Sequence, residues 1–439
     1  MAIKTLVFAI ACLIHATAMA VGDELILPPV IAKSEAEITD ESQLQGDFRD
    51  HVSNQTSPSL TQFYLQVWET HPSVQAAKAT VDAARSRMNA ASQPLYNPEL
   101  EIDAERAETD TVAIGLSQTI DWADKRSMKS NIGKFELLVA EADLASIRQK
   151  IAAQVSDALA GYYTANELHN LSKSRIKLLE RFFNIAKKRY KAGDIGQVDL
   201  ELAKLALSTS HLQAASTNTD LISSKQLLIT ATAITQDVWP ALPRQLPNID
   251  NNIPDPNTLL DKLPELRALR AMTEASKMRI NLAERFRQPD PTVSLRGGRE
   301  ESDVLVGLNL SIPLFIRNTF KAEVNVASNE SIQQEKLLQD AFLRARTRYL
   351  MSNEGYRLGL NALEKWLTSG QTTLVDRVKL LQRLWEFGEL SAPDYLIQVR
   401  ESLDAEIAGI ELRGKVWQSW FEWLDASGEI ETWLGLTGN

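Results

Sequence analysis

Two spacings of apolar residues alternate along this 439-residue chain. Between Pro98 and Pro240 the apolar positions step by three and four, through Leu144, Ile147, Ile151, Val155, Ala158, Tyr162, Ala165 and Leu168. Between Pro313 and Pro393 the same habit returns with Leu338, Phe342, Ala345, Tyr349, Tyr356, Leu360, Leu363, Leu367, Leu374, Val378, Leu381 and Trp385. Sustained over such lengths, this alternation is the seam of a coiled coil rather than of a short globular helix. Both tracts are free of proline, which would break a helix interior. A helix from Lys125 to Tyr190 would run on the order of 100 Å at 1.5 Å per residue. Gly193 and Gly388 follow the last periodic aromatics, where a left-handed C-cap is expected. New helical patterns begin near Asp199 and Asp394, acids suited to a helix N-terminus, so each tract predicts a helical hairpin with a tight tip.

The second spacing is two. Leu100, Ile102 and Ala104 alternate with Glu101, Asp103 and Glu105, and Val112, Ile114 and Leu116 follow on a second run. Val293 and Leu295 alternate with Ser294 and Arg296, and Val304, Val306, Leu308 and Leu310 form a fourth run. Short runs with apolar-out, polar-in alternation fit outer-membrane barrel strands. Four strands cannot close a barrel, since the smallest bacterial ones use about eight. An open edge in lipid would leave backbone groups unpaired, so several chains must share one barrel. Two chains or three would provide enough strands.

The two halves repeat one another. Gly115-Leu-Ser-Gln-Thr-Ile120 matches Gly307-Leu-Asn-Leu-Ser-Ile312, and His71-Pro72 matches Leu263-Pro264, all 192 residues apart. Tyr190, Gly193 and Asp199 match Trp385, Gly388 and Asp394 at a spacing of 195. The period is too long for a solenoid, so each copy is a whole architectural half. The expected organisation is a signal segment 1–20, an extended segment 21–58, a first repeat 59–236, a Pro-rich linker 237–262, a second repeat 263–424 and a C-terminal segment 425–439.

Composition narrows the setting. Lys4, the apolar run from Leu6 to Ile14 and Ala18-Met19-Ala20 read as a cleaved secretory signal, too short to span a membrane. Lipidation at Cys12, the only cysteine, is the alternative, with Ala9 a poor residue for it. With 57 acids against 47 bases the chain is acidic, which argues against nucleic acid as a partner.

The segment Gly115-Leu-Ser-Gln-Thr-Ile-Asp-Trp-Ala-Asp-Lys125-Arg126, its counterpart Gly307 through Pro313, Arg317 and Asn318, and the doubled tip motif carry a family resemblance. Over nearly all of its length after the signal segment, the chain resembles the TolC-type outer-membrane efflux proteins, most of all the Czc-type heavy-metal branch. Asp124 stands where that branch usually has glycine. The resemblance implies a mainly α fold with membrane β: long coiled-coil hairpins plus four strands per chain, joined in a homotrimer with one shared barrel. It further implies a passive exit duct that meets a periplasmic membrane-fusion adaptor, and through it an inner-membrane RND-type pump. A general drug or type I secretion exporter of the same fold, and a periplasmic coiled-coil structural protein, are the competing readings.

No nucleophile elbow, phosphate loop or metalloprotease helix is present, so no catalytic residue and no cofactor are expected. His51, His71, His169 and His211 include no pair at helical i, i+3 or i, i+4 spacing, so no metal site is expected either. Glu101, Asp103, Glu105 and Arg296 are the candidate barrel-lumen residues, since rings of like charge set ion preference in pores. Gly193, Asp194, Ile195, Gly196 and Asp199, with Gly388, Glu389, Leu390, Ser391 and Asp394, are the candidate adaptor-docking tips. Ile195 and Leu390 are expected to be exposed there as apolar grips for a helical partner.

Overall fold

Each repeat opens with a proline-started helix, because proline at the first helical position gives up an N–H that would be unpaired anyway. The structure is a computed structural model that describes residues 58–106, 110–243, 245–249 and 256–436, all within one unit, residues 51–439. The signal segment, Cys12 and His51 lie outside the described residues. The first half runs α1 (Pro58–Thr70), α2 (Pro72–Ser92), β1 (Glu99–Arg106), β2 (Asp110–Thr119), α3 (Lys125–Ala192) and α4 (Gln197–Thr232). The second runs α5 (Pro256–Leu260), α6 (Pro264–Phe286), β3 (Thr292–Glu300), β4 (Asp303–Ser311), α7 (Lys321–Lys365), a π turn (Trp366–Gly370), α8 (Gln371–Glu386), α9 (Ala392–Ser427) and α10 (Ile430–Trp433).

Helix α3 has 68 residues and so extends about 100 Å. Its seam positions Ile151 and Val155 are buried, while Leu144, Ile147, Ala158, Tyr162, Ala165 and Leu168 are half-buried. The helix ends as expected: Gly193 has φ 84°, its N–H bonds the Tyr190 carbonyl (3.1 Å), and the Asp194 N–H bonds that of Arg189 (2.9 Å). The second hairpin copies this at Gly388 (φ 77°), with bonds to the Trp385 and Leu384 carbonyls. The descending helices begin two residues before the anticipated acids. Asp199 and Asp394 therefore occupy the third helical position; Asp199 accepts from the Gly196 N–H (3.2 Å), and the Asp394 N–H donates to Ser391 Oγ (3.2 Å). The second seam is not one continuous helix, however. The π turn at Trp366–Gly370 divides it and leaves Leu367 exposed.

The strands form one antiparallel meander in the order β1-β2-β3-β4, with β1 and β4 as unpaired edges. Both long helices are entered through a residue in the left-handed region, Asp124 and Phe320, each at φ 54°. That explains why glycine suits the position that Asp124 fills.

An aromatic core gathers around the end of α9. Trp420 stacks on Trp423 (5.0 Å) and meets Tyr356 (5.0 Å), while Phe421 meets Trp433 (5.6 Å). The proline-rich connection is strapped across this level by hydroxyls: Tyr163 donates to the Trp239 and Pro240 carbonyls (2.9 and 3.1 Å) and Tyr356 to that of Pro247 (2.5 Å).

Candidate functional site

Strand register sorts the sheet into two faces, since successive side chains point to opposite sides. One face reads Leu100–Leu116–Leu295–Leu308 across the four strands, then Ile102–Ile114–Gly297–Val306, then Ala104–Val112–Arg299–Val304. Its large apolar side chains are exposed throughout, from Leu116 at 56% to Val304 at 78%. Beyond the strands Ile120, Trp122, Ile312, Leu314 and Ile316 continue the exposed apolar surface. An apolar sheet face this extensive has no place in water. Among the described residues no helix is long and apolar enough to cross a membrane.

The opposite face is polar and carries Glu101, Asp103, Glu105 and Arg296, as the alternation predicted. Register adds what spacing alone could not show. The matched glycines of the two repeats lie on one rung, Glu101–Gly115–Arg296–Gly307, on either side of the arginine. A Cβ on Gly307 would sit 2.9 Å from Arg296 Nε, and one on Gly115 would sit 3.3 Å from Arg296 Cβ. The repeated glycine is therefore the space that Arg296 occupies. Gly298 serves backbone approach instead, for a Cβ there would lie 2.1 Å from the Val112 carbonyl oxygen.

Where strands meet helices, Asp121 caps α3 by accepting from the Lys125 and Arg126 N–H groups (2.8 Å each). The Lys125 ammonium is buried against Asp290 (2.8 Å, side chains 4% and 6% exposed), and also donates to the Gln288 carbonyl (2.9 Å). Tyr96 donates to the same Asp290 oxygen (2.6 Å), and this bond to an acceptor anion is the largest reason its phenol is pushed up to about 12. Lys125 thus fastens β3 to the root of α3. The second exit is built otherwise: Pro313, Arg317 and Asn318 are exposed, and Asn318 accepts from the Phe320 N–H (3.0 Å) and donates to Glu323 in the first turn of α7 (3.4 Å). Arg126 is likewise exposed.

At the far end, both hairpins share a core of Leu178, Leu179, Phe182 and Ala186 from α3, Ala203 from α4, Leu381 and Trp385 from α8, and Ala392, Tyr395, Val399 and Leu403 from α9. Phe182 stacks on Tyr395 (4.8 Å, 16°), whose phenol burial pushes up to about 12. Ile195 and Leu390 turn toward this core and are half-buried, contrary to the expectation of exposed grips. The exposed apolar residues are Val198 (75%) and Phe387 (79%), which the sequence reading passed over. Phe387 directly precedes the cap glycine, and that adjacency was the available signal. Gly193, Asp194, Gly196, Gly388, Glu389, Ser391 and Asp394 are exposed, and Asp199 is half-exposed. Arg189 of the first hairpin lies over the Trp385 ring of the second (4.6 Å) and donates to its carbonyl (3.4 Å), tying the tips together. His169 is half-buried in α3, His211 is exposed on α4, and His71 caps α2 by accepting from the Ser73 N–H (3.2 Å).

A family model described as outer membrane efflux protein matches residues 64–233. The cobalt-zinc-cadmium resistance protein CzcC of Cupriavidus metallidurans is 28% identical over 261 residues, which are 57% of this chain and 60% of that protein. The chain thus spans about three fifths of the length of the curated relatives it matches. Among solved structures, the outer-membrane channel OprN superposes with a TM-score of 0.72 at 16% identity, covering 93% of this chain and 98% of that one. The transmembrane channel CusC does so with 0.70 at 12% identity, covering 85% and 92%. On all three comparisons the chain resembles the TolC-type outer-membrane efflux proteins, and its location is the outer membrane with the long helices in the periplasm.

Proposed function

We propose that this chain is the outer-membrane exit duct of a tripartite efflux system that exports divalent metal cations. The carrying observation is the four-stranded sheet, apolar and exposed on one face, polar on the other and unpaired at both edges, at the root of two long hairpins. Two further copies would complete a twelve-stranded barrel and satisfy those edges, as the hydrocarbon core requires. The likeness to a cobalt-zinc-cadmium resistance protein supports metal cations as the cargo. The duct needs no catalytic residue; an RND-type inner-membrane pump would supply the energy. A periplasmic adaptor would meet the tips around Gly193–Asp199 and Gly388–Asp394, with Val198 and Phe387 as its apolar contacts. The acids Glu101, Asp103 and Glu105, repeated by symmetry, would favour cations in the lumen, with Arg296 tempering them.

The test is single-channel recording in planar bilayers, paired with restoration of metal resistance in a strain lacking its own duct. Replacing Glu101, Asp103 and Glu105 by their amides should lower cation preference without loss of assembly. The double variant Gly193→Val, Gly388→Val should assemble yet fail to restore resistance, because valine is poorly tolerated at positive φ. Restoration of drug resistance but not metal resistance by the unaltered chain would reject the proposed cargo.

A further inference from the structure

The outward face of the sheet changes character at its hairpin end. Arg299 stands on the outermost apolar rung, beside Val112 and Val304, and Arg106 lies one outward rung beyond, opposite Asp110. Both arginines are exposed. The rung between these two points to the lumen and reads Glu105–Thr111–Glu300–Asp303. Charge is therefore sorted by face: the acids of this rim turn inward and the guanidiniums turn toward lipid. Among the described strand residues Asp110 is the one acid on the outward rungs, and the exposed Glu301 of the turn after β3 donates its N–H to the Asp110 carbonyl (2.9 Å). The contact of Asp110 with Arg106 is loose, 3.7 Å with the arginine and aspartate side chains 91% and 65% exposed.

Position gives this sorting a meaning. The other ends of the strands lead to the helices, which lie in the periplasm, so the hairpin rim meets the external leaflet. A guanidinium at this height keeps its stem along the apolar surface and lifts its head among the lipid headgroups. Its planar fork of donors matches phosphate oxygens in pairs. The two arginines stand two strands apart and two residues apart along the strands, about 12 Å at roughly 4.8 Å per strand and 3.4 Å per residue, a gap that a headgroup with two phosphates can bridge. The anionic lipid of the external leaflet is a phosphorylated glycolipid, and it is the occupant that this charge pattern fits.

We infer that Arg106 and Arg299 form a binding site for the phosphates of an outer-leaflet glycolipid, repeated around the barrel with each copy of the chain. The inference rests on the outer-membrane placement and is independent of the exported cargo. The probe is fluorescent diphosphoryl lipid A in mixed micelles, titrated against the purified full chain in detergent. The double variant Arg106→Gln, Arg299→Gln should bind it at least fivefold more weakly while migrating as the same oligomer as the unaltered chain. Lysine at both positions should give an intermediate loss, and this pair serves if the glutamine variant fails to assemble. Dephosphorylated lipid A and phosphatidylglycerol should each bind at least fivefold more weakly than the probe. Glu105→Gln with Glu300→Gln should leave probe binding unchanged. Equal binding by the arginine variants, equal binding of either comparison lipid, or an equal effect of the lumen-facing changes would each overturn the site. A failure of metal export would leave all of these readings where they stand.

Discussion

The two hairpins have nearly the same length and rest on matching sequence, yet one rises as a single helix and the other has a joint. Helix α3 runs unbroken for 68 residues, whereas α7 ends after 45 and passes through a five-residue π turn before the 16 residues of α8. One large side chain sits at the joint. The Trp366 indole lies between two glycines, since a Cβ on Gly370 would fall 2.4 Å from its ring and one on Gly409 would fall 2.2 Å from Nε1. Beside it opens a cleft of about 610 Å³ lined by Leu171, Leu178, Leu363 and Leu403, with Glu406 pushed above the usual carboxylate range by burial. At Gly161 of the first hairpin a Cβ would meet nothing within 4 Å. π turns interrupt helices at a cost in regularity and mark places where a helix yields. Duplication supplied two equal arms, and only the second carries a soft point.

The roots differ in the opposite sense, with the lock on the first half. Lys125→Met should have the largest effect, a loss of about 3–5 kcal/mol, because it leaves Asp290 buried without its cation. Chemical unfolding in detergent checks this. The change Lys321→Met, on the exposed first residue of α7, should stay within about 0.5 kcal/mol. Equal losses at the two roots would erase the contrast between them.

The joint comes next. Gly409→Val forces a side chain into the indole and should destabilise the second hairpin by about 1–3 kcal/mol. Gly161→Ala, in open space within a helix, should stabilise the first by about 0.5–1 kcal/mol. Hydrogen exchange resolved to peptides would show faster exchange around residues 366–370 than at the matching level of α3. Uniform protection along both hairpins would show that the π turn is no weaker than the helices around it.

The smallest effect is with pH. Asp425, Glu429 and Glu431 are all held above the usual carboxylate range, chiefly by burial. An acid whose folded value is raised favours the fold most when protonated, and that contribution is lost as pH rises through the ordinary value to the raised one. Thermal stability in detergent should therefore be higher at pH 5 than at pH 7.5, and Asp425→Asn should flatten the slope. A slope of the reverse sign would mean that Arg348, 3.7 Å from Asp425, dominates over burial.

What could be read from sequence was what depends on near neighbours. The glycine caps follow from local backbone geometry, and the strand faces follow from alternation, so Gly193, Gly388, Glu101 and Ile114 stand where spacing put them. What escaped depends on residues far apart in the chain. The lock joins Lys125 to Asp290, the joint needs Gly409 beside Trp366, and the Gly115–Arg296–Gly307 rung needs three strands in register. Ile195 and Leu390 turn inward because four helices pool one core at the tips, a surface that neither hairpin has by itself.

A shared barrel requires the unpaired edges β1 and β4 to meet between copies of the chain. The only cysteine is Cys12, so engineered cysteines on the sheet report cleanly. Ile102→Cys on β1, combined in turn with cysteine at Val304, Val306, Leu308 and Leu310 on β4, should give disulfide-linked trimers in outer-membrane fractions for at least one neighbouring pair of positions. Each single-cysteine chain should give none. Absence of linkage for every pair, with a monomer released from membranes without detergent, would contradict the shared barrel.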